Sequence, residues 1–185
     1  VEALVAGVVA DPRVAAAGRL RWVLGEQLHL TLRFLGPTPP ERVAAAAAAA
    51  ATAALPQAPF EVRLLGAGGF PSPARPRVVW LGLASGVAEL TALAGRLEEE
   101  LAARGWPPEG RPFRAHLTLA RADGIPGAGR AVAALAEAAA TLDAAWTADR
   151  LVVYRSELGR GPARYVPLAA APLGGGSLPG EAPLR

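Results

Sequence analysis

Only two histidines, His29 and His116, occur in this 185-residue chain, and each is followed by Leu-Thr-Leu. At the chain's own leucine and threonine content, chance places that tripeptide after a given histidine on the order of once in a thousand. A single strand histidine is ordinarily a structural or surface residue; a matched pair asks for a shared chemical reason. In an extended segment side chains alternate, so His29 and Thr31 share one face while Leu30 and Leu32 turn to the core. The same holds for His116 and Thr118 against Leu117 and Leu119. Each segment therefore offers an imidazole with a hydroxyl roughly 7 Å along the same surface. Two such segments facing one cleft suit phosphoryl chemistry. One neutral imidazole takes a proton from water, and the other, protonated, gives one to the leaving oxygen. The threonine hydroxyls donate to the non-bridging oxygens. A metal is not expected, because two histidines and no cysteine leave the ligand count to Asp or Glu, and none stands at ligand-like spacing near either histidine.

The elements that must position these residues are legible in outline. Val1 to Ala10 reads as a helix, Leu20 to Val23 as a strand, Gly25 to Gln27 as a turn, and Leu28 to Phe34 as an alternating strand. Thr38 is expected to cap a helix that begins with Pro39-Pro40-Glu41 and runs through alanines to Ala54, with Pro56 ending the segment. Phe60 to Leu65 and Arg77 to Leu83 read as strands separated by a loop, Gly66 to Pro76, rich in Gly and Pro. Val87, Leu90, Leu93, Leu97 and Leu101 form the stripe of an amphipathic helix that stops near Gly105. Phe113 to Leu119 is a strand, Ala128 to Ala140 a helix, and Asp149 to Tyr154 and Arg164 to Leu168 are strands. Residues 174–185 form a flexible Gly/Pro-rich tail. Strands and helices mix without strict alternation, which argues an α+β fold with largely antiparallel sheets.

Composition bounds the rest. The 185 residues are enough for one full-sized domain, or two small lobes sharing a core, and 52% hydrophobic with 19% charged residues argues a soluble globular chain and not a disordered one. There is no Cys, so disulfides, thiolate nucleophiles and sulfur-ligated metals are excluded, and a cytoplasmic setting fits. No run is long enough to span a membrane, and residues 1–10 lack a signal-peptide pattern. The absence of Met reads as a fragment or trimmed product. All 19 basic residues are Arg, and Lys and Asn are absent. That bias runs through the whole chain, so the net charge of +3 carries little weight as a nucleic-acid signal.

His29-Leu30-Thr31-Leu32 and His116-Leu117-Thr118-Leu119 resemble the paired HxTx motifs of the 2H phosphoesterase superfamily. The likeness is strongest to the RNA 2′,3′-cyclic phosphodiesterases, also called 2′-5′ RNA ligase-like proteins. It extends to LRWVLGEQLHLTLRFLG, GGFPSPARPRVVWLGL, RPFRAHLTLAR and LVVYRSELGRGPARYVPLA, and covers about Val1 to Leu173. The resemblance implies a single α+β domain with the bilobal, LigT-like 2H phosphoesterase fold: two pseudo-symmetric lobes of antiparallel sheet around a central cleft. A strand that the family carries ahead of its first helix is not seen here. The implied reaction is hydrolysis of an RNA 2′,3′-cyclic phosphate end to a 2′-phosphate, with no metal and no cofactor. Carried over, His29 is the proton donor and His116 the acceptor, an order that the residues alone do not distinguish.

Thr31, Thr118 and Arg121 are the implied phosphate-binding residues. Arg121 supplies a forked cation, but strict alternation puts it on the wrong face unless the strand ends or bulges before it. Phe34 holds the equivalent place in the first half, where it stacks a base or joins the core. Arg75, Arg77 and the loop from Phe70 to Pro76 line the RNA approach or form a plain surface loop. The expected partner is RNA with a cyclic-phosphate end, met by a monomer and not by a membrane protein. Small cyclic nucleotides, 2′-5′ oligonucleotides or an ADP-ribose cyclic phosphate are alternative substrates. A non-catalytic RNA clamp is the alternative outside enzymology.

Overall fold

The larger of two sheets contains β1 (Arg21–Trp22), β2 (Phe60–Phe70), β3 (Val78–Ser85), β4 (Leu117–Arg121) and β5 (Ala145–Ala148), in the order β1-β4-β3-β2-β5. Every neighbouring pair is antiparallel. The structure is a computed structural model that describes residues 1–16, 20–23, 25–122, 125–157 and 163–176. One face of this sheet is covered by α1 (Glu2–Val9), α2 (Pro12–Ala15) and α5 (Ala128–Ala138). Val5, Val14, Val132 and Leu135 from these helices pack on Leu64, Val79, Leu81, Leu117 and Leu119 in one core. The amphipathic spacing read from the sequence for α4 (Val87–Ala103) is what buries Leu90, Leu93, Leu97 and Leu101, and α5 buries Ala128, Ala131, Val132 and Leu135 in the same way.

A second lobe packs α3 (Val43–Ala54) and α4 against a two-stranded antiparallel sheet of β6 (Arg150–Glu157) and β7 (Arg164–Pro172). Alanine has the best intrinsic helix propensity, which explains why so monotonous a segment is helical. It also explains the packing. Ala46, Ala49, Ala50, Ala53 and Ala54 are buried, and their small side chains leave room for Leu93, Leu97, Leu101 and Trp106. This is the α+β arrangement with antiparallel sheets that the sequence implies, although the two sheets are unequal in strand number.

Several boundaries differ from those expected of the sequence. Leu28 to Phe34 joins no ladder among the described residues, and the chain bends at Leu32. Its alternation survives as packing: Leu28 and Leu30 rest on the first core, Leu32 and Leu35 on the second. β4 begins only at Leu117, so the stretch from Phe113 to His116 is likewise outside the ladder. Thr38 does not cap the helix; its Oγ1 donates to the Gly36 carbonyl, and a 3-10 turn over Pro40–Arg42 leads into α3. β5 is not legible in the sequence, since AWTA is short and half alanine. Most of the expected tail, 177–185, lies outside the described residues; Leu173–Gly175 form a 3-10 turn.

The Gly-rich stretch Gly66–Phe70 belongs to β2 and not to a loop. Its glycines serve the strand. Gly66, at φ +69°, makes the bulge that puts Leu64 opposite Leu83 and Ala67 opposite Leu81. Gly68 lies opposite Trp80, and a Cβ there would meet the indole ring at 2.3 Å. The missing side chain is therefore the space that the indole fills. Gly68→Ala is expected to destabilise the fold by about 1–3 kcal/mol through overpacking, measurable by urea unfolding with Trp fluorescence. An unchanged midpoint would show that Trp80 does not depend on this contact.

Candidate active site

His29 follows a short 3-10 turn, Gly25–Gln27, and its Nδ1 lies 2.9 Å from the Gln27 carbonyl oxygen. His116 precedes β4, and its Nδ1 lies 2.6 Å from the Arg114 carbonyl oxygen. A carbonyl oxygen only accepts, so each Nδ1 carries the hydrogen and donates it to the residue two positions earlier. The tautomer is thereby set in both rings, leaving Nε2 as the atom that exchanges protons. Gln27 also ties the first segment to β7, its Oε1 accepting from the Tyr165 backbone N–H at 2.9 Å.

Aromatic walls hold the two rings and differ in kind. His29 meets Tyr165 edge-on at 4.3 Å between centroids, and Tyr154 at 5.9 Å. These are the only two tyrosines in the chain, and their rarity is the one signal in the sequence that could have drawn attention to them. His116 meets Phe70 edge-on at 5.0 Å and Trp80 at 6.3 Å. Nothing in the spacing of these aromatics marks either group as a support for a histidine.

The alternation problem at Arg121 is resolved by register. Trp80 pairs with Thr118 but Val79 pairs with Ala120, so β4 carries one extra residue there. Leu119 and Ala120 both turn inward, at 0% exposure, and Arg121 is returned to the face of Thr118. Its cross-strand partner Val78 lies two residues from Trp80 on that same face. The first segment repeats this without a ladder. Arg33, the fourth residue after His29, is drawn inward to an 11% exposed side chain. Phe34, the fifth, is left outward at 69% exposure, so it is not a core aromatic.

Arg33 makes that turn through a fork of bonds. Its Nε donates to Glu98 at 2.7 Å, its Nη1 to the Phe34 carbonyl at 2.7 Å and to Glu109 at 3.3 Å, and its Nη2 to the Pro107 carbonyl at 2.5 Å. It is a positioning residue, and no motif in the sequence singles it out.

His29, Thr31, Phe34, His116, Thr118 and Arg121 all line one open cleft between the lobes, together with Arg77, Arg114, Tyr154 and Tyr165. Arg75 is absent from that lining; it borders a smaller groove beside the start of α5. Asp149 also lines the cleft, and the hydrogen-bonded Arg150 guanidinium lowers its pKa. Among the described residues no three His, Cys, Asp or Glu side chains gather to hold a metal ion, and no helix is long and apolar enough to cross a membrane.

Two His-x-Thr segments lining one cleft of a bilobal α+β fold define the 2H phosphoesterase class. Residues 4–160 match the 2′-5′ RNA ligase superfamily, and the chain belongs to that family. An RNA 2′,3′-cyclic phosphodiesterase of Escherichia coli strain K12 is 32% identical over 152 residues, 80% of this chain and 77% of that protein. One of Aeropyrum pernix is 38% identical over 105 residues, 57% of this chain and 58% of that protein. The chain spans about half the length of several curated relatives it matches. The crystal structure of E. coli LigT complexed with NADP+ superposes with a TM-score of 0.70 at 28% identity, covering 94% of this chain and 90% of that one.

Arg33→Ala removes charge-assisted bonds to Glu98 and Glu109, which keep only the Glu109 backbone N–H and Arg111 as partners, an expected loss of about 2 kcal/mol. Equilibrium unfolding measures it. A variant as stable as the parent would mean that the inward turn after His29 is held by the leucines alone.

Proposed function

We propose that this chain hydrolyses the 2′,3′-cyclic phosphate at an RNA end to a 2′-phosphate, without a metal, by paired-histidine acid–base catalysis. The observation that carries the proposal is the matched pair of imidazoles, each with Nδ1–H committed to a backbone carbonyl and both lining one cleft. The printed names of the curated relatives point the same way. Both imidazoles come from one chain, so a monomer suffices, and the lack of cysteine suits a cytoplasmic enzyme.

In the proposed reaction His116 Nε2 takes a proton from water as the water oxygen attacks phosphorus. The bond from phosphorus to the 3′ oxygen breaks, and that oxygen takes a proton from His29 Nε2. The product is a 2′-phosphate with a free 3′ hydroxyl. His29 ends neutral and His116 protonated, and proton exchange with solvent resets the pair. Thr31, Thr118 and the Arg121 fork bind the non-bridging oxygens, where charge builds in the transition state. The aromatic groups on the His29 side, Phe34 and Tyr154, suit the terminal nucleoside. The order of the two roles, His29 as donor and His116 as acceptor, is the one that the family resemblance implies.

Each histidine is expected to contribute roughly 10²–10⁴-fold in rate. His29→Ala and His116→Ala should each lower kcat by that factor on an oligonucleotide with a cyclic-phosphate end. The wild-type kcat/KM should be bell-shaped in pH and survive EDTA. Full activity in His116→Ala, or loss of activity on chelation, would overturn the mechanism. Binding with only background turnover in the wild type would favour the RNA clamp.

A further inference from the structure

The cleft is asymmetric in its free charge. Four of the arginines that line it are engaged: Arg33 with Glu98 and Glu109, Arg111 with Glu109, Arg150 with Asp149, and Arg155 with Glu157. On the His116 side, no carboxylate or hydrogen-bond acceptor among the described residues reaches the guanidinium of Arg77, Arg114 or Arg121. Arg121 shares a face with Thr118 and is accounted for by the reacting phosphate. Arg77 and Arg114 are not.

The backbone fixes where these two cations stand. Arg114 lies two residues before His116, gives its carbonyl to that ring, and places its guanidinium 5.9 Å from the centroid of Phe70. Arg77 donates its backbone N–H to the Phe70 carbonyl at 2.6 Å and accepts from Ala122, the residue after Arg121, at 2.8 Å. Both are exposed, and both adjoin Phe70, the ring that packs edge-on against His116. Exposed guanidinium groups without a carboxylate partner are what a polyanion needs, because its phosphates neutralise them and release counterions. A mononucleotide cyclic phosphate has one phosphate, which Thr31, Thr118 and Arg121 already serve.

We infer that Arg77 and Arg114 form a subsite for the backbone phosphates 5′ of the reacting end, so that the strand leaves the cleft across the His116 lobe while its terminal base lies on the His29 side. The inference rests on the proposed hydrolysis. It goes further by making the preferred substrate an oligonucleotide and not a free cyclic nucleotide, and by giving the strand a direction.

The test compares kcat/KM for adenosine 2′,3′-cyclic phosphate and for a hexanucleotide with a 2′,3′-cyclic phosphate end, across a salt series. The wild type should prefer the hexanucleotide by about tenfold or more at low salt. The preference should fall with salt at a log–log slope of about −1.4, two contacts at about −0.7 each. Arg77→Gln with Arg114→Gln should remove most of both the preference and the slope. Because each ratio is taken on one preparation, partial unfolding cancels. Arg155→Gln, whose guanidinium is paired with Glu157, should leave the ratio as in the wild type. Equal rates on both substrates in the wild type, a ratio unmoved by the double variant, or an equal loss in Arg155→Gln would each overturn the subsite. Hydrolysis of neither substrate would instead overturn the proposed function.

Discussion

The site depends on one short hydrogen bond made twice: an imidazole Nδ1–H given to the carbonyl two residues earlier in the chain. That bond chooses the tautomer, fixes the ring's orientation and leaves Nε2 as the exchangeable atom. It is local, so it costs little chain entropy and survives the difference between the two segments. One segment opens a β-ladder; the other is a run outside any ladder, held by leucines, by Gln27 and by the fork of Arg33. The pseudo-symmetry of the molecule therefore resides in the pair of histidine turns more than in the sheets, which have five strands and two.

The second recurring feature is an inward turn at the fourth residue after each histidine. A β-bulge achieves it in β4, and a buried guanidinium achieves it after His29. In both places the fifth residue is returned to the outside, and the two outward residues differ in chemistry. Arg121 is a forked cation, while Phe34 is an exposed aromatic face. The proposed substrate, which ends in one phosphate and one nucleoside, has use for that inequality. Among the arginines that line the cleft, Arg33, Arg111, Arg150 and Arg155 have a carboxylate partner, while Arg77, Arg114 and Arg121 have none among the described residues.

The repeated tetrapeptide makes the histidine pair legible in the sequence, because both members of a rare residue type sit in the same context. Helix α4 is legible from its leucine spacing, and α5 as a helical segment. The strand at 28–34 is half legible: its alternation is real, but whether an alternating segment finds a ladder partner depends on distant chain. The Gly66–Phe70 stretch misleads, since glycines that relieve a bulge and admit an indole look like loop glycines when the indole is not in view. Tyr154, Tyr165 and Arg33 are hidden in the sequence for a related reason. Their importance comes from what they touch across the fold, and only the scarcity of tyrosine hints at it.

Because the chain has just two histidines, long-range proton–nitrogen NMR of the imidazoles tests the central claim directly. Both neutral rings should carry hydrogen on Nδ1, the less common tautomer of a free histidine side chain, and both Nε2 signals should move together as inorganic phosphate is titrated in. Hydrogen on Nε2 in either neutral ring, or a response to phosphate from only one of them, would contradict the account.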